Sequence, residues 1–289
     1  MRPYSVQKSD EVMIVRRGKF LTLLQTALGS REFQFARQAS LIWLASYPGD
    51  LLINFIYANI LAELGDTEMA KANLEKILGY DPEFTEAVSL LDQLYSHSNV
   101  DVAASKAYLQ RSSSSAASRA EWLPALIEAR NAYESGDLTA AEKAVMESLA
   151  HNPKVALPAI FHMQIVNQNK NFTLLDTLSS IYASRWPSCV QIKILSAIAN
   201  MQHGEDSIGV EKLHWSAAND ASGQVVNRLL GPNHTFKPLW PEDLKVYMDL
   251  PVPSAIAAEL GLNVLSRTEF VNTKAPEMPP SDKSVSDIL

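Results

Sequence analysis

Apolar residues along this chain recur on paired helical faces separated by short polar turns, and the pairs repeat with a period of 34 residues. In the stretch 51–82, Tyr57, Ala58 and Leu61 share one face of a predicted first helix. Gly65 and Asp66 form the turn, Ala70, Leu74 and Ile77 share one face of a second helix, and Pro82 opens the next pair. The stretch 122–153 matches it offset for offset, with Ala129, Ala132, the turn Gly136 and Asp137, then Ala141, Val145 and Pro153. Strand-like alternation is weak throughout, so the pattern predicts helices nearly everywhere.

The residue types suit their places. Glycine at a helix end takes the left-handed conformation at low cost, and Asp or Asn can cap the helix that follows. Alanine at a crossing lets two backbones approach while larger apolar residues fill the flanking holes. Proline fits the first helical turn, where its missing N–H has no intrahelical partner to lose.

Three further stretches keep the same register. Residues 17–48 place Leu24, Ala27, Ala36 and Trp43 correctly but lack the glycine turn. Residues 156–187 place Met163, Val166, Leu175 and Tyr182, with Lys170 and Asn171 at the turn. Residues 190 to about 221 place Ala197, Gly204 and Leu213 and have no closing proline. The stretch 85–120 has the size of one degenerate unit. Pro82 and Pro153 are separated by two periods plus three residues, which predicts a small insertion at the polar run 111–115 (Arg111 followed by four serines).

On these residues the chain resembles the tetratricopeptide repeat (TPR) proteins over about 10–221, in five to six units with one degenerate at 85–120. The large aromatic usual early in the first helix is replaced by Asn54 and Ala125. The resemblance implies an all-α, right-handed solenoid of helix–turn–helix repeats whose first helices line a concave groove, and a groove that binds a peptide or helix of a partner protein. Carried onto this sequence, the family's inner-face offsets fall on Leu52, Phe55, Asn59 and Glu63; on Leu123, Leu126, Arg130, Tyr133 and Glu134; on Ile160, Gln164, Asn167 and Gln168; and on Gln191, Ile194, Ile198 and Met201. The expected binding set is Phe55, Asn59, Glu63, Leu126, Arg130, Tyr133, Gln164, Asn167 and Ile198. Some family members clamp a terminal carboxylate with a Lys/Asn/Arg set. Here Phe55 stands where the lysine is expected beside Asn59, so that clamp is not indicated. The alternative for Leu52, Leu123 and Ile194 is plain core.

The last quarter changes character. Eight of the fifteen prolines lie beyond residue 230, which ends the regular repeats. Residues 222–265 are expected to form an irregular cap, with 231–253 extended over the last hairpin. Phe236, Leu239 and Trp240, costly to leave in water, would cover its apolar side. Ser254 is expected to cap a short helix from 255 to 260 that Gly261 ends, and 266–289 has the composition of a mobile tail.

Composition narrows the function. The chain has 289 residues, 47% hydrophobic and 20% charged, with a formal net charge of −7. That charge disfavours nucleic acid, whose affinity rests on neutralised phosphates. No apolar run spans a bilayer and no hydrophobic signal core opens the sequence, so the expected location is cytoplasmic, without membrane partners. A single cysteine, Cys189, precludes an internal disulfide. Its place near a helix start can lower a thiol pKa. No HExxH, phosphate-loop, GxGxxG or CxxC pattern occurs, and the six histidines lack metal-ligand spacing. His162 reads as a packed or half-buried imidazole, and His234 as part of a turn stabilised by Asn233. The expectation is therefore a non-enzyme without cofactor or metal: an interaction scaffold or adaptor for another protein. A regulatory or recruitment module of an enzyme or complex is the alternative, a site around 231–240 is the third reading, and self-association through a terminal hairpin stays open.

Overall fold

A computed structural model describes residues 13–97 and 116–260. Consecutive helices pair as antiparallel hairpins: α1 (Arg17–Gly29) with α2 (Phe33–Ser46), α3 (Leu51–Glu63) with α4 (Thr67–Tyr80), then α5 (Thr85–His97). After the undescribed interval come α6 (Ala116–Glu134) with α7 (Leu138–His151), α8 (Ala156–Gln168) with α9 (Phe172–Arg185), and α10 (Val190–Gln202) with α11 (Asp206–Asn219). The short α12 (Gln224–Leu230), a 3₁₀ turn at Lys237–Leu239 and α13 (Ser254–Glu259) complete the helices. This is an all-α, TPR-like solenoid of stacked helical hairpins. The polar run 111–115, the second half of the degenerate unit and the tail 266–289 lie outside the described residues.

One backbone device builds all five complete hairpins. Arg31, Gly65, Gly136, Lys170 and Gly204 occupy the same repeat position, and each has φ between 56° and 84°. Each donates its N–H to the carbonyl three residues back. The next residue donates to the carbonyl five back, as in Asp66 to Leu61 at 2.8 Å and Asn171 to Val166 at 3.2 Å. That double closure is the Schellman end of a helix. The side chains of Asp137 and Asn171 then accept from the N–H groups of Ala140 and Leu174, capping α7 and α9. At the hairpin crossing stand Ala36, Ala70, Ala141, Leu175 and Gly209, all buried. At Gly209 a Cβ would lie 2.6 Å from Met201 Cγ and 3.0 Å from the carbonyl oxygen of Ala197. α6 begins ahead of the expected start at 122 and carries Pro124 inside it.

The register continues past its expected end. α12 starts one period after α10, so 224–230 is the first half of another unit, and Gly231 at φ 84° stops it. Asp220 holds its start by accepting from the backbone N–H groups of Val225 and Val226 at 2.9–3.1 Å.

The expected single cap is in fact two. Residues 231–240 pack on the last hairpin: Trp240 is buried with Leu213, Val225 and Val226, and Phe236 and Leu239 pack beside it. The following segment instead crosses to the other end of the solenoid. β2 (Lys245–Met248) pairs antiparallel with β1 (Met13–Arg16), matching Val15 with Val246 and Met13 with Met248. Leu244, Val246, Met248 and Ile256 join Phe20, Leu24, Ala27 and Trp43 in one buried cluster. This segment covers an apolar face of the α1–α2 hairpin. Ser254 is the first residue of α13 rather than its cap; Pro253 precedes it without a side-chain hydrogen bond.

The two ends of the solenoid also touch directly. The backbone of Gly49 packs against Ala218 and Asn219, and Ala221 donates its N–H to the Gly49 carbonyl at 3.1 Å. One apolar cluster contains Leu51, Ala58, Leu74 and Phe84 together with Val190, Ile194, Ala197, Leu213 and Val225. The row of hairpins therefore curves until its second and its last units share a core.

Candidate functional site

Closure divides the sequence-named inner face into packed and accessible parts. Phe55 is half-buried, its ring 5.3 Å from that of Phe84. Leu126 is 2% exposed, within the cluster of Trp122, Ala129, Val145 and Ile165. Ile198 is half-buried between two clusters. Leu52 and Leu123 are half-buried against the core, Ile160, Gln191 and Ile194 are buried, and Met201 packs on the shared cluster. Asn59, Tyr133, Gln164 and Asn167 are half-buried, while Glu63, Arg130, Glu134 and Gln168 are exposed.

The accessible residues of α6 and α8 converge on one ring. Phe161 is buried, Tyr133 meets it edge-on with centroids 5.4 Å apart, and the Arg130 guanidinium lies 5.8 Å from its centre. Gln164 and Asn167 follow Phe161 one and two turns further along α8. This patch combines an aromatic platform, a cation and two amides. Asn59 and Glu63 belong to α3 and stand apart from it in sequence and hairpin order.

Arg130 also belongs to an ionic chain that the sequence did not suggest. It contacts Glu83 at 3.1 Å; Glu83 accepts from Arg228 Nε at 2.8 Å; Arg228 Nη2 reaches Asp81, which also accepts from Gln191 at 3.1 Å. The chain ties α6, the α4–α5 turn, α10 and α12 together. Burial raises the Asp81 carboxyl above the usual range, with Arg228 working against it. Asp220, in the equivalent repeat position, is pushed up to about 7 by burial, against the pull of the Val226 and Val225 N–H groups. The sequence signal was faint: two aspartates recurring at one repeat position, with nothing to mark them as buried.

The remaining candidates for chemistry are structural. Cys189 is fully buried, its thiol donates to Gln191 Oε1 at 3.3 Å, and burial pushes its pKa up to about 12. The helix start thus does not produce a thiolate, because desolvation outweighs it. His162 is buried, with Nδ1 at 3.2 Å from the Tyr182 hydroxyl and Nε2 at 3.7 Å from Glu142. Burial lowers its pKa more than Glu142 raises it, so it is neutral near pH 7. Among the described residues no group of three His, Cys, Asp or Glu is placed to hold a metal ion. None of their helices is long and apolar enough to cross a membrane.

No family model matches this chain, and no curated protein does. Among solved structures it is similar to the TPR2AB domain of yeast Sti1 in its complex with pHSP90. The identity is 16%, over 73% of this chain and 95% of that one, with a TM-score of 0.35. A likeness of that order assigns this chain neither a partner nor an activity.

Proposed function

We propose that this protein is an interaction module that docks a segment of a partner protein on the inner face of its α6 and α8 helices. The observation that carries the reading is the patch around Phe161: Arg130, Tyr133, Gln164 and Asn167 on consecutive first helices, accessible to solvent and held by a buried ring. Aromatic and arginine side chains on a rigid support are the usual energetic centre of protein interfaces. Amides beside them suit a backbone that needs hydrogen-bond partners. Phe55, Leu126 and Ile198 serve this face by bracing it, and Asn59 and Glu63 extend it toward α3 in the same reading. The solenoid domain would be 10–221 with 222–265 as its cap, although α12 continues the repeat register to 230.

The test is position-resolved photocrosslinking. A photoreactive residue at Tyr133 or Gln164 is expected to capture a discrete partner. The same residue at Met146 or Ile181, exposed on the second helices, is expected to capture nothing discrete. Equal capture at both faces, or capture only on the outer face, overturns the reading. Arg130 is a poor probe because replacing it also breaks its contact with Glu83.

A further inference from the structure

Three buried aspartates lie where the second and last units of the solenoid meet, and they are not equally provided for. Asp50, Asp81 and Asp220 are all sealed from solvent. Asp50 accepts two bonds from the Arg17 guanidinium, at 2.7 and 3.0 Å, and one from the Trp43 indole at 3.1 Å. Asp81 accepts from Arg228 and from Gln191. Asp220 has no such cation. Among the described residues its carboxyl accepts only from the backbone N–H groups of Val225 and Val226.

The charged groups on the elements around Asp220 are engaged elsewhere or repel it. Arg228 on α12 gives Nη2 to Asp81 and Nε to Glu83. Asp81, on the α4–α5 turn, sets a second negative charge against it. On the α2–α3 turn Asp50 is held by Arg17. On α10, Gln191 serves Asp81, Cys189 is a neutral thiol, and Lys193 lies over the Trp215 ring. On α11, Lys212 donates to Ser196 and Asn200. From the cap, Trp240 donates its indole N–H to the Asp220 main-chain carbonyl at 2.9 Å, and His234, Lys237 and Glu242 make no hydrogen bond or ion pair with the carboxyl. An ionised Asp220 is thus a buried charge that no cation offsets, and such a carboxyl keeps its proton to higher pH. Burial above all pushes it up to about 7.

The neighbours of Asp220 give that proton a mechanical consequence. Gly49 packs against Ala218 and Asn219, and Ala221 donates its N–H to the Gly49 carbonyl. The residues on both sides of Asp220 therefore make the contact between the two ends of the solenoid. We propose that this seam is a proton-sensitive latch: with Asp220 protonated the two units stay joined, and with Asp220 ionised they part locally so that water solvates the carboxylate. The closed arrangement loses ground from about pH 4, where a hydrated aspartate ionises, until about pH 7, and no further above it. The latch is a property of the frame and stands or falls independently of the docking face.

The experiment is amide hydrogen exchange of the full chain, followed by nuclear magnetic resonance between about pH 6 and about pH 8. Rates are expressed as protection relative to an unstructured peptide, which removes the pH dependence of the exchange chemistry itself. Protection of the Ala221 amide, which bonds across the seam, is expected to fall about tenfold over that range. The Leu175 amide, bonded to the Asn171 carbonyl within α9, is expected to keep its protection. Asp220→Asn is expected to flatten the Ala221 profile. Gly49→Ala, which parts the seam sterically, is expected to lower Ala221 protection at every pH and to flatten it too, and it decides the matter if the asparagine variant does not fold. A flat Ala221 profile in the parent chain overturns the proposal. So does an equal fall at Leu175, the mark of global unfolding, and so does a fall that survives either substitution.

Discussion

Gly49→Ala is the sharpest perturbation this structure offers, because a single methyl group tests whether the two ends of the solenoid meet. A Cβ at Gly49 would lie 2.1 Å from the Ala218 carbonyl oxygen, 2.6 Å from Asn219 Cα and 2.8 Å from the Ala218 carbonyl carbon. All three are backbone atoms, so no side chain can swing aside. The α2–α3 turn must then withdraw from the end of α11, loosening the 3.1 Å bond from Ala221 N–H to Gly49 O. Overpacking of this kind costs about 1–3 kcal/mol, and a weakened backbone hydrogen bond adds roughly 1 kcal/mol. A loss of about 2–4 kcal/mol corresponds to a fall in Tm of roughly 3–7 °C for a chain of this size. Gly79→Ala is the matched control. Gly79 is in α4 with nothing within 4 Å of its would-be Cβ, and alanine there is expected to stabilise by up to ~1 kcal/mol. Calorimetry should give opposite signs for the two substitutions, and small-angle scattering should show a larger radius of gyration for Gly49→Ala alone. A neutral Gly49→Ala with unchanged scattering would refute the closed arrangement.

The repeat turn gives a second check: Lys170→Gly and Arg31→Gly relieve left-handed backbone at non-glycine residues. Each is expected to stabilise by about 0.5–1 kcal/mol in denaturant titration, the strain relieved exceeding the entropy of an added glycine. Asp220 has a folded pKa of about 7 against 3.8 for the free group. Its contribution is therefore fully present below about pH 4 and is lost as pH rises toward 7. Asp220→Asn should remove that slope, so its deficit relative to the parent chain shrinks as pH is raised through that window in denaturation curves. Cys189, buried and with its pKa pushed up to about 12, should resist thiol reagents at pH 8 until the chain is unfolded. Val246→Asp should destabilise by about 3 kcal/mol or more by placing a charge beside Phe20 and Leu24, seen as a lower midpoint in urea.

The repeat architecture was legible because its constraints are local. The period fixed every first helix from 17 to 190 except the early start of α6. Ala36, Ala70 and Ala141, named from spacing, are all fully buried. The non-glycine turn named at Lys170 and Asn171 was in the right place; Lys170 takes the left-handed conformation because the helices on either side demand it, and Arg31, which the sequence had not singled out, does the same. What the sequence hid was long-range. Val246 and Met248 alternate with Lys245 and Tyr247, but four residues are a faint strand signal, and their partner strand lies near the other end of the chain. The Asp81–Arg228 contact likewise joins residues far apart in sequence, 147 positions. Local patterns give hairpins; they do not say how tightly the superhelix winds, and the winding decides which inner residues are core. Leu126 and Tyr133 sit two turns apart on one helix, yet one is sealed in the core and the other faces the patch.

Closure also changes what kind of binding the inner face can support. An open solenoid adapts its pitch to a ligand and pays for that adjustment in ordering. Here α12 and the α4–α5 turn are joined through Arg228, Asp81 and Glu83, the N-terminal hairpin is fastened by β2, and Gly49 abuts α11. The Phe161 patch is thus presented on a frame fixed at both ends, and under the proposed docking a partner would meet it with little rearrangement of the backbone. Arg130 couples the two systems, since its guanidinium lies over Phe161 while its charge is held by Glu83. A partner that drew Arg130 away would leave Glu83 with Arg228 as its remaining cation among the contacts described. Loosening the frame at Gly49 should therefore weaken docking at Tyr133, although Gly49 lies on the α2–α3 turn and not on α6 or α8.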